Sequence, residues 1–349
     1  MRSTQKILRI VFSASFLLAS FTFVSAQSNR SPVAPTPEQF QSTLGNAYEK
    51  FKGDTGGKNA DYIPYLAHVD SKLFGIAVVT TDGKLYKVGD VEYAFSIQSI
   101  SKVFTLALAM EELGPDEVLA KIGGEPTGRP FNSIPAVVDM PSHAGNPYVN
   151  AGAIATTSLI SGADPVAKWA KILAFYSEAS GSKLSLIDEV YKSEAATNTG
   201  NKAISMLLAK YDRIYANPFE SVDVYTKQCS VGVTADQLAV MGATLANNGK
   251  NPMTGKQVVK QDNVPHILAE MMMAGLYDGS GQWAWTVGIP AKSGVGGSIL
   301  AVVPGKGAIA VFAPPLDEAG NSVKAQKVIG YVADKLGINL FAASSVGLK

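Results

Sequence analysis

Ser99 and Lys102 stand at the start of a run, Ser99 to Leu113, in which Val103, Phe104, Leu106, Ala107, Leu108, Ala109 and Met110 leave almost no polar face. Residues at that spacing share one face of a helix, and the first helical turn offers unpaired N–H groups with partial positive charge. A hydroxyl there sits where an oxyanion can be stabilised. An ammonium among apolar neighbours is poorly solvated, which favours the neutral amine, and an amine can take the serine proton. The pair therefore fits acyl transfer, with Ser99 as nucleophile and Lys102 as general base. Ser-x-x-Lys is a weak signal by itself, and Ser3/Lys6 and Ser180/Lys183 repeat it. The first of those lies in an N-terminal leader and the second in a Gly/Ser-rich loop; only Ser99 opens an apolar helix.

A second element strengthens the reading. Lys292-Ser293-Gly294-Val295-Gly296-Gly297 lies just before a strand-like run near the C-terminus, where small residues let backbone approach a substrate and offer N–H donors. Serine acyl enzymes with a Ser-x-x-Lys helix place a Lys-(Ser/Thr)-Gly strand beside the nucleophile. Both pieces in this order predict an α+β chain with the serine β-lactamase/transpeptidase-like fold.

The elements that would carry them are legible in outline. Thr36-Pro37-Glu38-Gln39 supplies an N-cap, a first-turn proline and a capping-box glutamine, which predicts a helix to about Phe51. Leu73 to Thr80, the Asp82-Gly83 turn signal and Lys84 to Val88 read as an antiparallel hairpin. Asn150 to about Leu245 reads as helices, one starting at Asp164-Pro165 and others over Ile187 to Lys192 and Lys202 to Tyr211. Ser298 to Val303 and Ala308 to Ala313 read as strands, and Ser322 to Leu336 as a final amphipathic helix. Strands at both ends around a helical middle predict one antiparallel sheet built from the two ends, with a helical subdomain between them.

Arg2, Lys6 and Arg9 precede an apolar run from Ile10 to Val24 and then Val24-Ser25-Ala26, which reads as a cleavable secretory leader over residues 1–26. The run is shorter than the roughly 20 residues a spanning helix needs. A tail over 27–35 and one catalytic domain over 36–349 complete the predicted organisation, for a periplasmic or secreted protein. The leader takes three of the 30 basic residues and none of the 29 acidic ones, so the remainder is slightly acidic. That balance points away from nucleic acid and anionic lipid as partners. The single Cys229 cannot form an internal disulfide. His68, His143 and His266 are scattered without ligand spacing, so neither a metal nor another cofactor is expected.

Beyond these elements, the chain resembles the bacterial-type glutaminase family along nearly the whole mature length. The matching stretches run from Ala60-Asp61-Tyr62-Ile63-Pro64 through Phe95 to Phe104, Phe131-Asn132-Ser133 and Asn146-Pro147-Tyr148-Val149-Asn150-Ala151-Gly152-Ala153. They continue through Ser193-Glu194 to Asn201, Gln228-Cys229-Ser230, Ala239 to Thr254, Gly275-Leu276-Tyr277-Asp278 and Pro290 to Gly297. The resemblance implies hydrolysis of L-glutamine to L-glutamate and ammonia through a γ-glutamyl ester on Ser99. It implies Lys102 as base, Tyr277 relaying a proton toward the leaving ammonia, and the N–H groups of Ser99 and Val295 as the oxyanion hole. Glu194 would hold the substrate's α-ammonium. Asn150, Asn201 and Tyr225 would fix its carboxylate end, and Tyr62 and Gln98 would complete the wall. A zwitterion does need one carboxylate for its ammonium and neutral or cationic donors for its carboxylate. The resemblance further implies a homodimer or homotetramer. Family members are commonly intracellular, whereas this chain has a leader, and they often carry methionine where Tyr148 stands.

Two other functions share some of these features. A penicillin-recognising hydrolase or D,D-peptidase would use the same two elements, but no Ser-Asp-Asn element accompanies them here. A periplasmic glutamine-binding protein without turnover would not need the nucleophile and base pair.

Overall fold

The computed structural model describes residues 36–342. The predicted leader, residues 1–26, the tail, 27–35, and the last residues of the predicted domain, 343–349, lie outside them.

Five strands form one antiparallel sheet in the order β2-β1-β8-β7-β6, where β1 is Gly75–Thr80, β2 Leu85–Gly89, β6 Ala291–Gly294, β7 Ser298–Val303 and β8 Gly307–Phe312. The N-terminal hairpin and the C-terminal strands meet where β1 pairs with β8, with Gly75 opposite Phe312 and Thr80 opposite Gly307. The sheet is thus built from both chain ends, as expected. β7 and β8 are buried along their whole length, because helices cover both faces. On one side lie Pro37–Phe51 and Val323–Leu336, closing a core with Leu44, Ile76, Ile299, Val311, Val328 and Val332. The Thr36 capping box forms as predicted, and Ser322 caps the C-terminal helix through Ala325 N.

The other face carries helix Ala235–Ala246 and, beyond it, the helical middle. A large core there gathers Val103, Phe104, Leu106, Ile154, Leu238 and Met241. Helix Ser101–Leu113 runs through it with every residue from Ser101 to Met110 buried. Such a helix has no solvent face to spare, which is why its sequence is apolar all round. The predicted middle helices appear as Pro165–Ser180, capped by Asp164, as Asp188–Thr197 and as Thr199–Lys210.

Two features differ from the sequence reading. The Lys292-Ser293-Gly294 segment does not merely precede a strand; it is β6 itself, an edge strand paired with β7. A second small sheet, β3-β5-β4, joins Phe95–Ser96, Val231–Val233 and Ser185–Leu186. It ties the approach to Ser99 onto the helical subdomain, since Ile97 N also donates to Val231 O at 2.8 Å.

Candidate active site

Ser99 lies in a 3-10 turn, Gln98–Ile100, that leads directly into helix Ser101–Leu113. Ser99 therefore sits one short turn before the α-helix and not within it, and it is buried. Gln98, just before it, has φ +49°. A non-glycine residue in that region is strained, and such strain persists only where the surroundings over-determine the backbone.

Lys102 is 1% exposed. Its ammonium donates to Tyr148 O at 3.1 Å and to Asn150 Oδ1 at 2.8 Å. Burial brings its pKa down to about 8, against the opposing pull of Cys229 and Glu194. Among the described hydrogen bonds none joins Lys102 to Ser99, so the one-turn spacing puts the two in the same site without engaging them directly. Bonds of this kind commonly tighten only once substrate is present.

Asn150 is the hub of the next layer. Its Oδ1 also accepts from the Tyr225 hydroxyl at 3.2 Å, and its Nδ2 donates to Asn201 Oδ1 at 3.0 Å. Asn150 opens helix Asn150–Leu159, and the chain before it is held by Asn146, whose Oδ1 accepts from Tyr148 N and Val149 N. Gly152 is required there, because a Cβ on it would lie 1.9 Å from Asn146 O.

Glu194, on helix Asp188–Thr197, is 7% exposed and accepts from Gln98 Nε2 at 3.2 Å. Burial raises its pKa to about 7, while Gln98 and then Lys102 pull it down. Tyr65 N donates to Ser193 Oγ at 3.1 Å, which pins the segment bearing Tyr62 to the same helix. Tyr62 is 54% exposed, and desolvation together with the nearby Glu194 carboxylate raises its pKa. It stands at the edge of the site.

Tyr277, at φ +53°, is the second strained residue here. Its hydroxyl donates to Ser293 O at 3.1 Å; burial raises its pKa and Ser99 partly offsets that. Val295 follows β6 and is buried. A Cβ on Gly294 would lie 2.9 Å from Ile97 O, and one on Gly296 would lie 2.7 Å from Ser96 O. The backbone around Val295 thus lies against the backbone leading to Ser99, and only glycines permit that approach.

The sequence-derived residues Ser99, Lys102, Asn150, Glu194, Asn201, Tyr225, Tyr277, Val295, Tyr62 and Gln98 therefore gather around one site. Other groups join them that the sequence reading had not singled out for their side chains. Lys292 is fully buried, donates to Gly275 O at 3.0 Å and Ser293 O at 2.8 Å, and lies 4.3 Å from the Tyr277 ring centre. Burial, and then Lys102, hold its pKa well below the usual lysine range. The Ser293 hydroxyl is buried without a hydrogen-bond partner. The lysine and serine of the Lys-Ser-Gly element were the available signal, taken in the sequence only for their backbone. Phe131 packs on Tyr277 with ring centres 4.6 Å apart.

Chemically, the arrangement offers a buried hydroxyl, an amine whose depressed pKa leaves more of it in the neutral, proton-accepting form, a backbone-lined approach, and a carboxylate facing neutral amide and phenol groups. Comparison with known proteins agrees in kind. A family model described as Glutaminase matches residues 57–341. A glutaminase of Colwellia psychrerythraea is 56% identical over 311 residues, 88% of this chain and 100% of that protein. A glutaminase of Brucella canis is 58% identical over 287 residues, 82% of this chain and 90% of that protein. A solved structure described as the probable glutaminase ybaS superposes with a TM-score of 0.87 at 51% identity, covering 88% of this chain and all of the other.

Proposed function

The chain belongs to the glutaminase family, and from that premise we propose that it hydrolyses L-glutamine by way of a γ-glutamyl ester on Ser99. Hydrolysis of glutamine to glutamate and ammonia is the reaction of the family, and the chain carries the family's β-lactamase-like fold. The ester intermediate and the residue roles are part of this proposal. The observation that carries them is Lys102, buried and held by Asn150 within the same site as Ser99.

In this reading Lys102, as the neutral amine, removes the Ser99 proton as Oγ attacks the γ-carboxamide carbon. The N–H groups of Ser99 and Val295 hold the developing oxyanion, where aligned donors contribute most. Tyr277 passes a proton to the departing nitrogen, and ammonia leaves. Water, activated by the same amine, then cleaves the ester and frees glutamate. Glu194 binds the α-ammonium, with Gln98 fixing its carboxylate. Asn150, Asn201 and Tyr225 bind and orient the carboxylate end, and Tyr62 covers the entrance. We further propose export to the periplasm or medium through the leader at residues 1–26, and assembly as a homodimer or homotetramer.

The test is ammonia release by the purified protein and its Ser99→Ala variant. The variant is expected to release none while still binding glutamine. Ammonia production at the wild-type rate would remove Ser99 from the mechanism.

A further inference from the structure

Glu270 belongs to none of the groups that surround Ser99. It lies on helix Val264–Ala274 and is half-buried, and its Oε1 is buried without a hydrogen-bond partner among the described residues. Burial, and then the Glu125 carboxylate, raise its pKa to about 8. A buried carboxyl that meets no donor costs stability, and native folds carry few such groups.

The carboxyl borders a cavity of about 290 Å³. Leu106, Met110 and Met273 make its wall apolar, while Asp116, Leu119 and His266, all exposed, stand at its mouth. Gly124 also lines it, and the Cβ that this glycine lacks would lie 3.8 Å from Glu270 Oε2. The space over that oxygen is therefore left open. No residue assigned above to glutamine lines the cavity. At about 30 Å³ per water-sized group, it has room for roughly ten heavy atoms.

Apolar walls around one acidic group suit a small organic molecule. Because Oε1 is closed off, the carboxyl can be satisfied only through Oε2. Water there supplies a neutral hydrogen bond, whereas an ammonium supplies a charge-assisted one, about twice as strong, and stabilises the ionised carboxylate that burial disfavours. A bare ammonium ion would leave the apolar wall uncovered, while a hydrocarbon chain covers it. The two methionines can repack around chains of different shape.

We propose that this cavity is a binding site for a primary amine with an apolar body, its ammonium on Glu270 Oε2 and its hydrocarbon against Leu106, Met110 and Met273. The proposal does not depend on the Ser99 ester.

n-Hexylamine is the probe, with n-hexanol as the chain without the charge and ammonium chloride as the charge without the chain. Calorimetric titration of the full protein is expected to show hexylamine binding at least about 10-fold more tightly than either control, the scale of one charge-assisted hydrogen bond. Glu270→Gln removes the charge and keeps the shape. It is expected to weaken hexylamine about 10-fold and to leave hexanol unchanged. Ala269→Trp, which fills the cavity from the same helix, is expected to abolish binding of both; Ala269 is exposed, so the fold has room for the larger side chain. Equal affinities for hexylamine and hexanol in the wild-type protein overturn the site. Hexylamine binding that survives both substitutions also overturns it, because the amine then sits elsewhere, as on the Glu194 carboxylate.

Discussion

Lys102 Nζ donates to Asn150 Oδ1 at 2.8 Å, and the same oxygen accepts from the Tyr225 hydroxyl at 3.2 Å. One carboxamide thus holds Lys102 and Tyr225 together, so the proposed base and the proposed recognition end share a single hinge. Its neutrality is as important as its position. A carboxylate in that place would favour the ammonium, whereas a carboxamide satisfies one donor and leaves the desolvated amine its lowered pKa.

The first prediction concerns pH. In the proposed mechanism Lys102 works as the neutral amine and Glu194 as the carboxylate, so both active forms are deprotonated. With Lys102 near 8 and Glu194 near 7, kcat/KM should rise with pH through this range and level off above it, with a limiting log slope of about two below both values. The limb in kcat alone should follow Lys102. Lys102→Arg keeps a permanent charge and is expected to lose about 10²- to 10⁴-fold in kcat. A pH-independent kcat between 6 and about 9 would count against the amine.

A second prediction follows from the hinge. Asn150→Asp places a carboxylate on Lys102 and removes the donor to Asn201. Stabilising the ammonium raises the Lys102 pKa, so the rising limb of kcat should move to higher pH and KM should increase. Asn150→Ala should raise KM without that upward displacement. Identical pH profiles in the two variants would show that charge at this position does not reach Lys102.

Much of the scaffold was legible because it obeys local rules. Thr36 and Gln39 form the capping box that starts helix Pro37–Phe51, and Ser298–Val303 forms the strand its apolar run suggests. β6 was not legible as a strand, since Ala291–Gly294 carries small and polar residues where strands favour branched and aromatic ones. It is held by pairing with β7, a tertiary effect. β3 and β4, of two residues each, are too short for any periodicity. Within the site, the Ser-x-x-Lys spacing and the family resemblance named side chains that the fold brings together, such as Lys102, Asn150 and Tyr225. The acceptor that Lys102 finds in Tyr148 O is a backbone group brought in from 46 residues away, and no residue type announces it.

A third prediction tests the loop beneath the hinge. Gly152→Ala would bring a Cβ to 1.9 Å from Asn146 O, against rigid backbone. Asn146 cannot simply yield, because its side chain also bonds Tyr148 N, Val149 N and Glu125 O. Overpacking of this kind costs about 1–3 kcal/mol, which a shift in the urea midpoint would read. Relief by moving Tyr148 O would also disturb Lys102, so kcat should fall as well. A variant as stable and as active as wild type would mean the loop shifts freely and does not position the base.

The last prediction sets stability against binding at Glu194. Its folded pKa lies above the unfolded value of 4.5, at about 7, with burial as the principal cause. The contribution of the neutral acid is fully present below pH 4.5 and is lost as pH rises through 7, where the buried carboxylate burdens the fold. Glu194→Gln carries no such charge and keeps a similar shape. Without substrate, its melting temperature should match that of wild type near pH 4.5 and exceed it at pH 8. Its KM for glutamine should rise at the same pH, since the α-ammonium loses its counter-charge. Residues placed for function often reduce stability in this way. A lower melting temperature than wild type at pH 8 would show that the carboxylate is stabilised by its surroundings, and the reading of Glu194 as a site held ready for a substrate cation would fail.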